Sequence, residues 1–274
     1  MRIAWASDVH FDFVEPEDVE AWCGRIRAAG VEGLLLGGDI ATAGSVLFWV
    51  ERCAELLERP LYFVLGNHDY YRGSVAEVRA GAARLPAPVH WLPAREPLEL
   101  APGLALVGHG GWGDARVGDW EGTPVVLNDY LLIEELALAK NDKAALGQLL
   151  RDYGSDAAET LGPSLRAAAA AYGRVLVLTH VPPFREACWH EGQTSNDEWA
   201  PGFVCGALGE LLHEVALEHP GCELTVLCGH THSPGSARLA PNLVAHTLGA
   251  DYARPDFAVI DTDALAEFAP PPKP

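Results

Sequence analysis

Residues 61–71 read LYFVLGNHDYY. A run of five apolar side chains ends in a glycine, and an amide, an imidazole and a carboxylate follow without a break. Gly66-Asn67 alone would be an ordinary turn pair, because both residues tolerate left-handed backbone angles. A turn gives no reason for His68 and Asp69, so the pattern has to be sought elsewhere in the chain.

It recurs four times. RIAWAS (2–7) runs into Asp8-Val9-His10, and VEGLLLGG (31–38) runs into Asp39. RVLVLT (174–179) runs into His180, and ELTVLCG (223–229) runs into His230-Thr231-His232. Runs of this length, rich in Val, Leu and Ile, suit strands buried on both faces. Between them the spacing predicts helices over 17–29, 45–58, 74–84, 142–152, 156–172 and 206–218. Pro16 with Glu17 and Asp18 behind it is a good helix start. Strand–helix alternation predicts an α/β layered fold. No internal repeat or linker divides the chain, so one domain is expected over 1–264, with a disordered Pro-rich tail over 265–274.

The composition narrows the function. Of 274 residues, 38 are Asp or Glu and 19 are Lys or Arg, a formal net charge of −19. No three basic residues fall within six positions. Affinity for a polyanion comes mostly from phosphate neutralisation by Lys and Arg, so nucleic acid and anionic membrane are not expected partners. No uncharged apolar run reaches the ~18 residues of a membrane helix, and the first residues lack the features of a signal peptide. The six cysteines form no C-x-x-C pair. They read as reduced, buried thiols of a cytoplasmic protein rather than a zinc ribbon or disulfide framework.

In open α/β sheets ligands sit beyond the carboxyl ends of the strands. A single Asp at a strand end caps the next helix more often than it binds anything, but five strands delivering Asp, His and Asn to one rim are not explained by capping. Residues i and i+2 on a strand share a side, so Asp8 with His10, and His230 with His232, are expected to face one region. Neighbours Asn67 and His68 should point apart, one as a ligand and the other with a different task. Four imidazoles, two carboxylates and one amide exceed what one ion holds, so two ions are implied. Imidazole-rich sets favour Mn, Fe, Zn or Ni over Mg or Ca. Two divalent ions balance Asp8, Asp39, a hydroxide and a phosphate. Asp39, approached closely past Gly37-Gly38, is the expected bridge. Such a pair clamps the attacking and leaving oxygens of a phosphoryl displacement and activates water near neutral pH.

The ordered set DVH, GGD, GNHD, H and GHTH resembles the calcineurin-like metallophosphoesterase superfamily, from Asp8 to His232. The resemblance implies an α/β fold of four layers (αββα), two mixed sheets flanked by helices. It implies one ion on Asp8, His10, Asp39 and His232, and another on Asp39, Asn67, His180 and His230. His68 would be the uncoordinated imidazole that protonates the leaving group, with Asp69 holding its ring. The chain lacks the Asp-Arg-Gly motif of Ser/Thr protein phosphatases, having IATAG (40–44) after Asp39. It is closer to the small bacterial phosphodiesterase branch, which includes cyclic-nucleotide phosphodiesterases. The DNA-repair nuclease branch shares GNHD but uses a basic face missing here. Non-catalytic scaffolds typically lose ligands, and none is lost. The expected function is hydrolysis of a small phosphorylated substrate with two transition-metal ions, Mn or Fe foremost, then Zn or Ni.

Two long stretches, 109–128 and 181–205, follow strands and read as irregular rim loops of the kind that carry function. From them His109, Trp112, His190 and Asn196 are the expected substrate-binding residues.

Overall fold

The apolar runs become the central strands of two sheets. The computed structural model describes residues 1–272. Its strands are β1 (Arg2–Ala6), β2 (Leu34–Leu36), β3 (Leu61–Phe63), β4 (Val89–Trp91), β5 (Leu98–Ala101), β6 (Leu104–Gly108) and β7 (Arg174–Leu178). They continue with β8 (Trp189–His190), β9 (Gln193–Thr194), β10 (Glu223–Cys228), β11 (Gly235–Ala240), β12 (Leu243–Thr247) and β13 (Ala258–Asp261). The helices are α1 (Pro16–Ala28), α2 (Val46–Leu57), α3 (Val75–Ala82), α4 (Asp129–Leu132), α5 (Glu134–Ala139), α6 (Lys143–Ala171), α7 (Ala200–Phe203) and α8 (Gly206–Glu218).

One sheet has the order β13-β1-β2-β3-β4 and the other β11-β12-β10-β7-β6-β5. Strands β1 to β4 run parallel, as do β12, β10, β7 and β6, while β13, β11 and β5 are antiparallel edges. Alternation along each strand builds the layers. Ile3, Trp5, Leu35, Leu104, Leu106, Leu176, Leu178 and Leu227 fill the core between the sheets. Ala4, Ala6, Leu34 and Leu36 face the side that α1, α2 and α3 cover. Ala105, Val107, Val175, Val177 and Val226 face α6 and α8. This is the four-layer sandwich, and it places the carboxyl ends of β1, β2, β3, β7 and β10 at one rim.

Three expectations need correction. The helices expected over 142–152 and 156–172 are one, α6, 29 residues long. Gly154, between the two expected segments, is a close approach: a Cβ there would collide with Asp114 and the Arg116 guanidinium. The stretch 181–205 is not wholly irregular, since β8 and β9 pair as a hairpin and α7 follows. Packed chain also passes the boundary drawn at 264. Leu265 is buried between the sheets, and the Phe268 ring meets Trp5 edge-on with centroids 6.0 Å apart. The last two positions of the expected tail lie outside the described residues.

Candidate metal centre

The rim is held in an unusual backbone state. Asp8, His10, Asp39, His230 and His232 all have positive φ, at 55°, 43°, 51°, 69° and 54°. Such angles cost a non-glycine residue about 1 kcal/mol or more, and they persist where surrounding structure enforces them. Here the loops brace one another. Asp8 N–H donates to Gly38 C=O at 3.0 Å and His10 N–H to Asp39 C=O at 3.0 Å, while His230 N–H reaches the Asp8 carboxylate at 3.0 Å. The expectation that Asp8 with His10, and His230 with His232, face one region through strand pleating needs a different backbone account. β1 ends at Ala6 and β10 at Cys228, and left-handed turns beyond the strands, not strand pleating, aim these side chains. Gly66 permits the close approach, since a Cβ there would collide with Asp39 Oδ1 and His180 Nε2.

The side chains form two groups that share one member. Asp8, His10, Asp39 and His232 bring one ligand atom each within 4.8 Å of one another, and so do Asp39, His180 and His230. In the first group His232 Nε2 lies 3.2 Å from Asp8 Oδ1 and 3.2 Å from His10 Nε2. In the second, His180 Nε2 lies 3.3 Å from Asp39 Oδ1 and 3.0 Å from Asn67 Oδ1.

Hydrogen bonding shows what those atoms offer. His180 Nδ1 donates to Gly37 C=O at 2.9 Å, which leaves Nε2 as a lone pair. Asn67 Nδ2 donates to Asp129 at 2.8 Å, which leaves Oδ1 facing His180. His180 Nε2 thus has two oxygens beside it and no hydrogen of its own to give them. That arrangement is repulsive unless a metal ion or a proton on Asp39 lies among them, and the donor set fits a divalent ion in each group. His230 Nε2 lies 3.2 Å from Gly202 C=O, a carbonyl that can only accept, so the lone pair of the neutral ring is on Nδ1.

Burial lowers His10 to about 3 and His180 to about 3, and lowers His230 as well. All three are neutral at physiological pH, the form that binds metal. Burial, then Asp8 and Asp69, pushes the Asp39 carboxyl well up. Burial also raises Asp8, but effects led by the hydrogen bond from His232 outweigh it and hold that carboxyl low.

The GNHD residues divide their tasks differently from the expectation. His68 is kept out of both groups. Its ring stacks on Tyr71, centroids 4.1 Å apart, and its Nε2 is 3.9 Å from Asp39 Oδ2. Asp69 is not its orienting partner. The Asp69 carboxylate is fully buried and accepts Ile40 N–H at 2.8 Å, Ala41 N–H at 2.9 Å and Gly66 N–H at 2.8 Å. It ties the Asp39 loop to the Asn67 loop, because three buried N–H groups need an acceptor more than an imidazole does. The group beneath His68 is Tyr71, whose hydroxyl donates to Asp129 at 2.7 Å.

A model of the calcineurin-like phosphoesterase family matches residues 1–234. The chain belongs to that family. A search of curated proteins finds no match. The fold is similar to that of a dimetal phosphatase from Danio rerio, with TM-score 0.57 and 14% identity over 94% of this chain and 91% of that one. It is also similar to phosphopantetheinyl hydrolase from Mycobacterium tuberculosis, with TM-score 0.61 and 14% identity over 92% and 89%. The protein TT1561 of Thermus thermophilus resembles it with TM-score 0.51 and 16% identity over 96% and 95%. At such identities these likenesses speak for the fold. The chain is a metal-dependent phosphoesterase, and its His and Asp clusters fit a divalent dimetal site. Among the described residues no helix is long and apolar enough to cross a membrane.

A cleft of about 620 Å³ opens on this phosphoesterase centre, lined by His190, Asn196, Trp199, Phe203, His230 and Tyr252 among others. Two expected substrate-binding residues, His190 and Asn196, are on its wall. His109 and Trp112 are not. His109 is buried, lowered to about 3 by that burial, and accepts Gly111 N–H at 3.0 Å. Trp112 is buried between Tyr70 and Tyr153, with centroids 5.6 and 4.8 Å away. The 109–128 stretch turns inward because its anchors are needed there: Asp114 also accepts Gly206 and Ala207 N–H at the start of α8. Asp129, Tyr71 and Tyr252 were missed. Tyr252 lies against His10 and His232, centroids 4.6 and 4.9 Å apart, in a stretch whose sequence carries no motif.

Proposed function

We propose that the chain is a dinuclear hydrolase of small phosphate esters, mono- or diesters. Asp8, His10, Asp39 and His232 would hold one ion, and Asp39, Asn67, His180 and His230 the other, with Asp39 between them. The observation that carries this reading is the placement of His180 Nε2, whose ring proton lies on Nδ1, 3.0 Å from Asn67 Oδ1 and 3.3 Å from Asp39 Oδ1. Mn and Fe suit this imidazole–carboxylate set best, with Zn or Ni as alternatives. When bound, such a pair polarises the phosphoryl oxygens and activates water for in-line attack.

The remaining work falls to side chains. His68 is partly open to solvent while its neighbours are closed, so it can reach a leaving oxygen. Burial lowers it to about 4 without substrate. An arriving phosphoryl group brings negative charge, which favours the protonated ring and equips it to donate. Tyr71 sets the plane of that ring. Six free, buried cysteines accord with a cytoplasmic location.

The test is kinetic. His68→Ala should lower kcat for an alkyl phosphate ester by ~10²–10⁴-fold while metal content stays at the wild-type level. Loss of metal in that variant would make His68 a ligand and overturn the assignment. Full activity of the wild type after exhaustive chelation would overturn the whole reading.

A further inference from the structure

The cleft beside the centre has a chemistry of its own. Phe203 lies against His230, centroids 4.6 Å apart, and Trp199 meets Phe203 edge-on at 5.8 Å. Tyr252 lies against His232 at 4.9 Å. Rings therefore extend outward from the ligand imidazoles of both groups. Trp199 is 47% exposed and Tyr252 50%, far more than rings recruited for packing. Between them stand the neutral side chains of Gln193, Thr194, Ser195 and Asn196. Among the described residues no Lys or Arg lines the cleft, and Glu191 is its one carboxylate. Arg185, in the same stretch of chain, is engaged by Asp197 at 2.6 Å.

We infer that this cleft selects phosphate esters whose organic group carries a flat aromatic ring and no second anionic group. The inference rests on the phosphoesterase reading for one point only, that the phosphoryl group sits at the His–Asp clusters. A ring attached to it would enter a space of ordinary ligand size, where aromatic faces and neutral hydrogen-bonding groups are on offer. A second phosphate or carboxylate would meet Glu191 and find no cation, so its lost hydration would go uncompensated. Trp199 and Tyr252 are the residues that would read the ring, and Glu191 the one that would reject the extra charge.

Hydrolysis rates alone cannot test this, because aryl groups also leave more readily than alkyl groups. Binding can. Wild-type protein saturated with Mn²⁺ would be titrated with methylphosphonate, phenylphosphonate and 4-carboxyphenylphosphonate by calorimetry. Phenylphosphonate should bind roughly 5- to 100-fold tighter than methylphosphonate, the range expected for one ring stacking on aromatic side chains. Trp199→Ala and Tyr252→Ala should each shrink that ratio. The para carboxylate should weaken binding, and Glu191→Gln should restore part of the loss. Equal binding of methyl and phenyl ligands, or tighter binding of the carboxylate, overturns the inference. A protein that prefers phenylphosphonate but hydrolyses no phosphate ester would overturn the hydrolase reading and leave the cleft's preference standing.

Discussion

The side-chain amide of Asn67 donates to the buried carboxylate of Asp129 at 2.8 Å, across 62 positions of chain. An amide can face either way at little cost, and this bond decides that its oxygen, not its nitrogen, turns toward His180. The same Asp129 oxygen accepts the Tyr71 hydroxyl, and Tyr71 lies beneath the His68 ring. One carboxylate outside both ligand groups thereby orients a proposed ligand and supports a proposed acid.

Asp129→Ala should therefore weaken metal binding at the Asn67 site by ~10–100-fold, the usual effect of removing a partner behind a metal ligand. Asp129→Asn keeps an oxygen in place and should retain most of the affinity. Metal titration of the two variants checks this, and equal affinities for Asp129→Ala and wild type would remove Asp129 from the site.

Trp112 belongs to packing. Wedged between Tyr70 and Tyr153, it should cost about 3–5 kcal/mol of folding stability when replaced by Ala. The relative rates among small substrates should not change. Denaturant unfolding reads the first effect, and a changed substrate ranking with intact stability would put Trp112 back at the cleft.

Stability should also fall with acid through buried neutral histidines away from the centre. Burial lowers His109 to about 3 and His246 to about 4, below the ordinary histidine value near 6.5. The unfolded chain thus binds these protons more readily than the folded one. The stabilising contribution is complete above about pH 6.5 and is lost as pH falls toward the folded values. Each histidine can contribute up to about 1.4 kcal/mol per pH unit in that window. Urea midpoints of chelated protein at several pH values test this. His109→Gln, which keeps an acceptor for Gly111 N–H, should show a shallower slope than wild type, and an unchanged slope would rule out the His109 contribution.

Much of the centre was legible because each proposed ligand ends an apolar run and carries chemistry that a strand end does not need. Asp8, Asp39 and His180 could be read that way without coordinates. The backbone that aims them could not, since left-handed angles at Asp8, His10 and His232 leave no mark in residues other than glycine. Asp129 was hidden for a related reason: an acidic residue opening a helix looks like ordinary helix-start chemistry, and its partners are distant in sequence. The 109–128 stretch was misread because position after a strand tells where a loop starts but not which way its rings turn. In α6, the close approach at Gly154 was hidden because the side chains pressing on it come from another part of the chain.

The central claim is that Asp39 stands between two ions, and electron paramagnetic resonance of Mn²⁺-loaded protein tests it most directly. Ions sharing a carboxylate lie close enough to couple, so wild-type protein should take up about two Mn²⁺ per chain and give an exchange-coupled spectrum. Asp39→Asn should lose both the coupling and at least one ion. A wild-type protein that saturates with a single Mn²⁺, or binds two with purely mononuclear spectra, would contradict the account.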